Sequence, residues 1–300
     1  MHILPAIAAA TDEMETIFRD LHAHPELGFE ETRTSGIVAS KLAEYGVDEV
    51  HTGLGKTGVV ALIHGKSHGN RRVGLRADMD ALPIDEISGV PFSSQTPGTM
   101  HACGHDAHTT MLLGAAKHLA ETRDFDGTAV LIFQPAEEGL GGARQMMADG
   151  LFETFPVDEI YGMHNSPNGK PGTFDICKGV AMAGAMFFDA HIRGLGSHAA
   201  MPHQSRDTVV IASTLVSQLQ TIVSRNVAPL DSCVMSVTQI HAGAAYNSFL
   251  KTRISPVPFV TSARRCAIWQ CSACRLSVMA SRPRMKSKSI STCAMYSMCW

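Results

Sequence analysis

The stretch MHACGHDAHTTMLLGAA (residues 100–116) crowds three histidines, a cysteine and an aspartate between His101 and His108, then runs straight into an apolar, helix-like segment. Thiolate, imidazole and carboxylate together form the ligand set of zinc and related divalent ions. A helix is expected to open at Thr110 and Met111 and run to about residue 121, with the polar cluster just ahead of it. Upstream, GVVALIHG (58–65) and RRVGLRADMD (71–80) have the pattern of buried strands bounded by glycine. Downstream, TAVLIFQP (128–135) is a further buried strand ended by Pro135, residues 142–149 suit a helix stopped by Gly150, and DEIYGMHN (158–165) is another strand. Helices are also expected over 12–23, where Met14, Ile17, Phe18 and Leu21 recur at helical spacing, and over 32–45, stopped by Gly46. Strands alternating with helices predict an α/β layered domain with a largely parallel sheet.

In such sheets, sites form at the carboxyl ends of the strands. Four polar clusters fall there: Asp78 and Asp80; Cys103, His105 and Asp106; Glu137 and Glu138; and His164. Any one alone is weak, since a lone histidine is usually a surface or core residue and paired glutamates are usually solvated. Together they are harder to dismiss, and two ions could share the Cys103 thiolate. If the chain is extended at Glu137 and Glu138, these two project to opposite sides, one to a metal and the other free as a base. A base beside a metal-activated water is what metal-assisted hydrolysis needs.

From about residue 182 the pattern changes. AMFFDAHIRG (185–194) and SCVMSVTQIHAG (232–243) read as strands, and SRDTVVIASTLVSQLQTIVSR (205–225) as a long amphipathic helix. This β–α–β order suggests a second, smaller α+β domain.

RADMDALP (76–83), MHACGHDAHTTMLLGAA, FQPAEEG (133–139), GMHNSP (162–167), GLGSHAAMPH (194–203) and GAAYN (243–247), with HAHPELGFEE (22–31) ahead of them, resemble the successive motifs of the aminoacylase/carboxypeptidase-type metallopeptidases. The branch is that of hippurate hydrolases and N-acyl-amino-acid amidohydrolases. The resemblance implies a zinc-peptidase-like α/β/α catalytic domain with an inserted α+β dimerisation, or lid, domain. It implies two divalent ions per subunit (Mn, Zn, Co or Ni), with Cys103, His105, Glu138 and His164 as ligands. Glu137 matches the general base and Asp78 the aspartate that supports the site. Where many relatives place a ligand histidine two residues before that aspartate, this chain has Arg76, and His105 supplies a nitrogen ligand instead. His198 matches a residue that reaches into the partner subunit's site, and Asn247 one near the substrate. The substrate implied is a small N-acyl amino acid, and the assembly a homodimer or homotetramer. His22 and His24 are read as structural, and His101, His108 and His118 as packing or supporting groups.

Composition agrees with a globular chain: of 300 residues 45% are apolar and 18% charged. No apolar run is long enough to span a bilayer, and MHILPAIAAATDEMETIF lacks the basic start of a secretory signal, so the cytoplasm is the expected compartment. Charge is uneven. Residues 1–247 hold 16 Lys and Arg against 28 Asp and Glu, whereas 248–300 hold nine basic residues, no acidic ones, no histidine and five of the eight cysteines. The motif resemblance stops at Asn247. Regrouping codons compatible with 248–274 by one base yields family-like text, so the tail is read as a frameshift product or sequencing error. The expected domains are 1–181 (catalytic, first segment), 182–247 (dimerisation, partial) and 248–300 (aberrant basic tail). The catalytic domain would then be incomplete and would lack a last ligand histidine. A zinc-binding pair at Cys271 and Cys274 finds no second pair at finger spacing, and neither a nucleic acid nor a membrane is an expected partner. Resequencing the DNA across codons 240–260 checks this reading. One further base there is the expected outcome, and an unchanged frame refutes it.

Overall fold

The computed structural model describes residues 4–167, 169–176, 184–243, 252–255, 259–261 and 295–298. The chain divides into two compact units, Met1–Thr173 and Phe174–Trp300. The first runs α1 (Pro5–Ala9), α2 (Thr11–Ala23), α3 (Thr32–Glu44), β1 (Glu49–Leu54), β2 (Gly58–His64), β3 (Ser67–Asp78), α4 (His105–Thr122), β4 (Asp126–Gln134), α5 (Gly142–Ala148), α6 (Leu151–Thr154) and β5 (Glu159–Gly162).

Its five strands form one sheet in the order β1-β2-β4-β3-β5. Alternation along β2 explains the layers. Val59, Ala61 and Ile63 face a cluster with Ile17, Leu21, Val38, Leu42, Leu113 and Ala116 from α2, α3 and α4. Val60 and Leu62 face the opposite cluster, with Met146, Leu151 and Phe155. Strand side chains alternate between faces, so a strand that is apolar throughout must be covered by helices on both sides. The unit is therefore an α/β/α sandwich.

The sheet is mixed rather than largely parallel. β3 pairs parallel with β4 and β5, whereas β1–β2 and β2–β4 are antiparallel. The β1–β2 connection is too short for a crossover and can only make a hairpin. β1 is not marked in the sequence, because none of its residues is buried and they carry little apolar signal. Helix α4 begins at His105, five residues before the expected start, with Gly104 at φ 86° ahead of it. His105, Asp106, His108, Thr109 and Thr110 are all buried despite their polarity, so apolar periodicity could not mark this first turn as helical.

The second unit runs β6 (Gly184–Phe188), β7 (Ala190–Ile192), α7 (Thr208–Asn226), β8 (Cys233–Met235), β9 (Gln239–Ala242), β10 (Thr252–Ser255), β11 (Phe259–Thr261) and β12 (Met295–Met298), and its described strands form two sheets, β7-β10-β9 and β12-β6-β11-β8. Each long strand expected from sequence is two short ones that switch sheets. The break between β6 and β7 falls at Asp189, and an alternating pattern carries across such a bend without marking it. α7 opens where the Asp207 carboxylate accepts the N–H groups of Val209 and Val210 at 2.9 and 3.2 Å, an N-cap. Its Ala212, Leu215, Leu219 and Ile222 pack against Phe188 and Met235. The strands within 248–300 lie in the stretch read from sequence as an aberrant tail.

A charged knot pins α2 to its neighbours. Glu13 accepts from Lys117 Nζ at 2.6 Å, Tyr45 Oη at 2.8 Å and Lys41 Nζ at 3.3 Å. The Lys117 ammonium does most to hold the Glu13 carboxyl down, to about 2. A folded-state value below the unfolded one stabilises above the unfolded pKa and is lost as pH falls through the folded one. Glu13→Gln is therefore expected to be less stable than the parent chain above pH ~5, by a margin that shrinks from pH ~4.5 towards ~2. Urea midpoints across that range check it; a margin independent of pH refutes the ionic role.

Candidate metal centre

β3, β4 and β5 run parallel, so their carboxyl ends open on one edge of the sheet. Asp78 closes β3, the turn carrying Glu137 and Glu138 follows β4, His164 follows β5, and Cys103 and His105 sit at the start of α4. Ligand atoms of Cys103, His105 and His164 lie within 4.8 Å of one another, as do those of His105, Glu137 and Glu138.

The hydrogen bonds orient the imidazoles. His105, with no exposed surface, has Nδ1 2.8 Å from the Asp80 carbonyl oxygen, and its buried Nε2 has no hydrogen-bond partner. His164 Nδ1 donates to the Asn165 carbonyl at 2.7 Å, and its Nε2 stands 3.3 Å from Cys103 Sγ. Both rings are thus tied at Nδ1 and present Nε2, the arrangement that orients histidine ligands. With a thiol and two carboxylates beside them, these residues fit a divalent cation, and His105 Nε2 is an otherwise costly buried orphan that a cation would satisfy.

His108 is different, because both its ring nitrogens are engaged. Nδ1 meets Asp78 Oδ1 at 2.6 Å, and Nε2 accepts the Asn165 N–H at 3.0 Å. Burial works against the ionisation of Asp78, but the His108 bond and the nearby Arg76 and His105 prevail and hold it at about 2. Arg76 Nη1 lies 2.8 Å from Asp78 Oδ2, while its Nε donates to Gln134. His22 bridges Asp106 at 2.6 Å and Glu86 at 3.2 Å, and His24 Nδ1 meets the Asp20 carbonyl, which gives both rings structural roles.

Glu137 and Glu138 are not extended. They sit in a turn entered through Ala136 at φ 50°, and the turn brings both carboxylates to the same place instead of opposite sides. Sequence reasoning noticed Asp80 but missed its work. Its Oδ1 lies 3.1 Å from His105 Nδ1 and its Oδ2 accepts the Glu138 N–H at 2.9 Å. Asn165 was missed as well, its only signal being its place inside GMHNSP.

In the second unit, His198 is exposed and its Nδ1 accepts the Ala200 N–H at 3.1 Å. A neutral ring so bonded carries its proton on Nε2 and can donate it outward. Asn247 lies outside the described residues.

Comparison with known proteins shows the family. The family model described as Peptidase family M20/M25/M40 matches residues 74–269. The hippurate hydrolase of Campylobacter jejuni is 47% identical over 247 residues, 82% of this chain and 64% of that protein. The N-acetyl-L-cysteine deacetylase of Bacillus subtilis is 46% identical over 232 residues, 77% of this chain and 55% of that protein. A solved structure of the Bacillus subtilis YXEP protein, a dinuclear metal binding peptidase from the M20 family, superposes with a TM-score of 0.69 at 32% identity, covering 91% of this chain and 70% of that one. The chain belongs to the M20/M25/M40 peptidase family. It spans less than two thirds of the length of these two curated relatives, and its family match extends beyond Asn247, where the motif resemblance ends. No helix among the described residues is long and apolar enough to cross a membrane.

Without a cation the site holds its protons. Burial, then the negative charges of Glu138, Glu137 and Asp78, push the Cys103 thiol up to about 12. Burial opposes charge on His105, but the Asp80 bond and the surrounding carboxylates outweigh it and raise the ring to about 9. Both groups must lose a proton to ligate. Binding of Zn2+ or Mn2+ at pH ~7.5 is expected to release roughly two protons per site, with affinity rising towards pH ~9. Calorimetry in buffers of different ionisation enthalpy measures this, and binding without proton release rules it out.

Proposed function

We propose that this chain carries the active centre of a metal-dependent amidohydrolase that cleaves N-acyl amino acids of the hippurate type into a carboxylate and an amino acid. The observation that carries the reading is the convergence of Cys103, His105 and His164 beside the adjacent Glu137 and Glu138. The relatives named above act, by their names, on hippurate and on N-acetyl-L-cysteine, both N-acyl amino acids.

Cys103, His105, Glu138 and His164 would hold two divalent ions (Mn, Zn, Co or Ni). When bound, such ions polarise the substrate carbonyl and make water more acidic. Glu137 takes the proton from the attacking water as its oxygen bonds to the carbonyl carbon. As the C–N bond breaks, Glu137 hands that proton to the departing nitrogen. Burial, reinforced by Glu138, raises the Glu137 carboxyl above its ordinary range, which makes it a better proton carrier near neutral pH. Asp78 and Asp80 hold the ligands in place. His198 from a second copy of the chain donates through Nε2 to the developing oxyanion, which requires a dimer or a higher oligomer, and Asn247 contacts the substrate. The compartment proposed is the cytoplasm.

A second reading has its own support. Residues 248–300 hold no histidine to add to the four ligands named above, which favours a catalytically impaired relative that at most binds metal or dimerises. Metal titration alongside hippurate hydrolysis separates the two, and a panel that includes dipeptides separates an amidohydrolase from a dipeptidase. Glu137→Gln is expected to lower kcat by about 10²–10⁴-fold with metal content unchanged. Retained turnover would remove Glu137 from the mechanism.

A further inference from the structure

The motif HAHPELGFEE (22–31), whose two histidines are engaged structurally, ends on a buried acid bonded to the turn that carries Glu137 and Glu138. Glu31 has no exposed surface. Its Oε1 accepts the Ala136 N–H at 2.8 Å and its Oε2 accepts the Thr57 hydroxyl at 2.6 Å. Both donors are neutral, and a carboxylate buried among neutral donors is costly. Burial accordingly raises its pKa. Glu31 precedes helix α3 but does not cap it with its side chain. That work falls to Glu26, whose carboxylate accepts the Arg33 and Thr34 N–H groups at 2.9 and 2.8 Å.

Backbone strain gathers at the same point. Among the described residues four non-glycine residues have positive φ: Phe29, Lys56, Ala136 and Arg123. Three of them surround Glu31. Phe29 lies two residues before it, Lys56 directly precedes Thr57, and Ala136 is its bonding partner. Lys56 Nζ sits 4.5 Å from the centroid of the Phe29 ring. Left-handed non-glycine residues persist only where their surroundings hold them, and they gather at functional sites. Gly28 completes the seat, since a Cβ there would stand 3.0 Å from Ala136 Cα.

We propose that Glu31 is a positioning residue, whose buried carboxylate holds Ala136 in its left-handed conformation and so aims Glu137 and Glu138 at the metal centre. The inference rests on the amidohydrolase reading for its effect on turnover, but not for its effect on metal binding. Glu31 acts from one side of the turn through Ala136 N–H, and Asp80 from the other through Glu138 N–H. Removing Glu31 leaves a buried N–H unpaired and frees the turn to relax, which displaces both carboxylates.

The test uses the full chain with Co2+ as the probe and hippurate as the substrate. Glu31→Ala is expected to lower kcat on the order of 10²-fold, the scale of a misplacement near 1 Å, with KM little changed. It should also weaken the cobalt visible bands that report carboxylate ligation, while the thiolate-to-cobalt band of Cys103 persists. Glu31→Gln should restore most of both, because its carbonyl can accept the Ala136 N–H and its amide can donate to Thr57 Oγ1. Gly28→Ala leaves Glu31 in place but presses on Ala136, and should reproduce the loss even if Glu31→Ala does not fold. The proposal is overturned if Gly28→Ala leaves both turnover and cobalt spectrum unchanged, or if Glu31→Gln is as impaired as Glu31→Ala. A parent chain that binds cobalt but does not hydrolyse hippurate sinks the hydrolase reading alone, and the cobalt comparison still decides Glu31.

Discussion

Asp80 is a carboxylate with 1% of its surface exposed, and the metal centre is assembled around it. One oxygen and the backbone carbonyl of the same residue face His105 Nδ1 at the start of α4. The other oxygen accepts the Glu138 N–H in the turn after β4. An imidazole and a carboxylate 33 positions apart in sequence are thus registered against a single residue just past the end of β3. In so dry a place either bond left unmade would cost a buried polar group its partner, so the two segments cannot drift independently. The parallel pairing of β3 with β4 and β5 supplies the rest, bringing three strand ends to one edge.

The same economy leaves the site overfull of acid. Asp78, Asp80, Glu137 and Glu138 crowd around a thiol and three imidazoles, with Arg76 as the cationic side chain against Asp78. Burial, reinforced by this negative charge, raises the Cys103 thiol and the Glu137 carboxyl, while attraction to the same carboxylates holds a proton on His105 against its burial. At Cys103 and His105 a divalent cation would replace the retained proton with a charge bonded to the same atom. Tying each imidazole at Nδ1 settles which nitrogen is left for the cation.

Strain and burial have a similar distribution. The left-handed Ala136 is followed at once by the two glutamates, and the turn is held from both sides by carboxylates that accept backbone N–H groups, Glu31 and Asp80. Charge-assisted bonds of this kind are stronger than neutral ones, which suits them to holding a conformation that alanine would leave if free.

By itself the sequence determined the layered α/β class, most helices and buried strands of the first unit, and the residues able to ligate a metal. Buried strands are continuous apolar runs, surface helices show their period, and ligand chemistry belongs to residue types. HACGHDAHTT, AEEG and GMHN could therefore be read without coordinates. Only the tertiary structure decided the antiparallel half of the sheet, the early start of α4, the division of two long strands between two sheets, and the roles of Glu31, Asp80 and Asn165. Those depend on which backbone N–H or ring nitrogen meets which oxygen across tens of residues. Local pattern is blind to such meetings: a buried Asp80 reads like any acid, and the carboxylates that accept N–H groups of the turn at Ala136 come from distant parts of the chain.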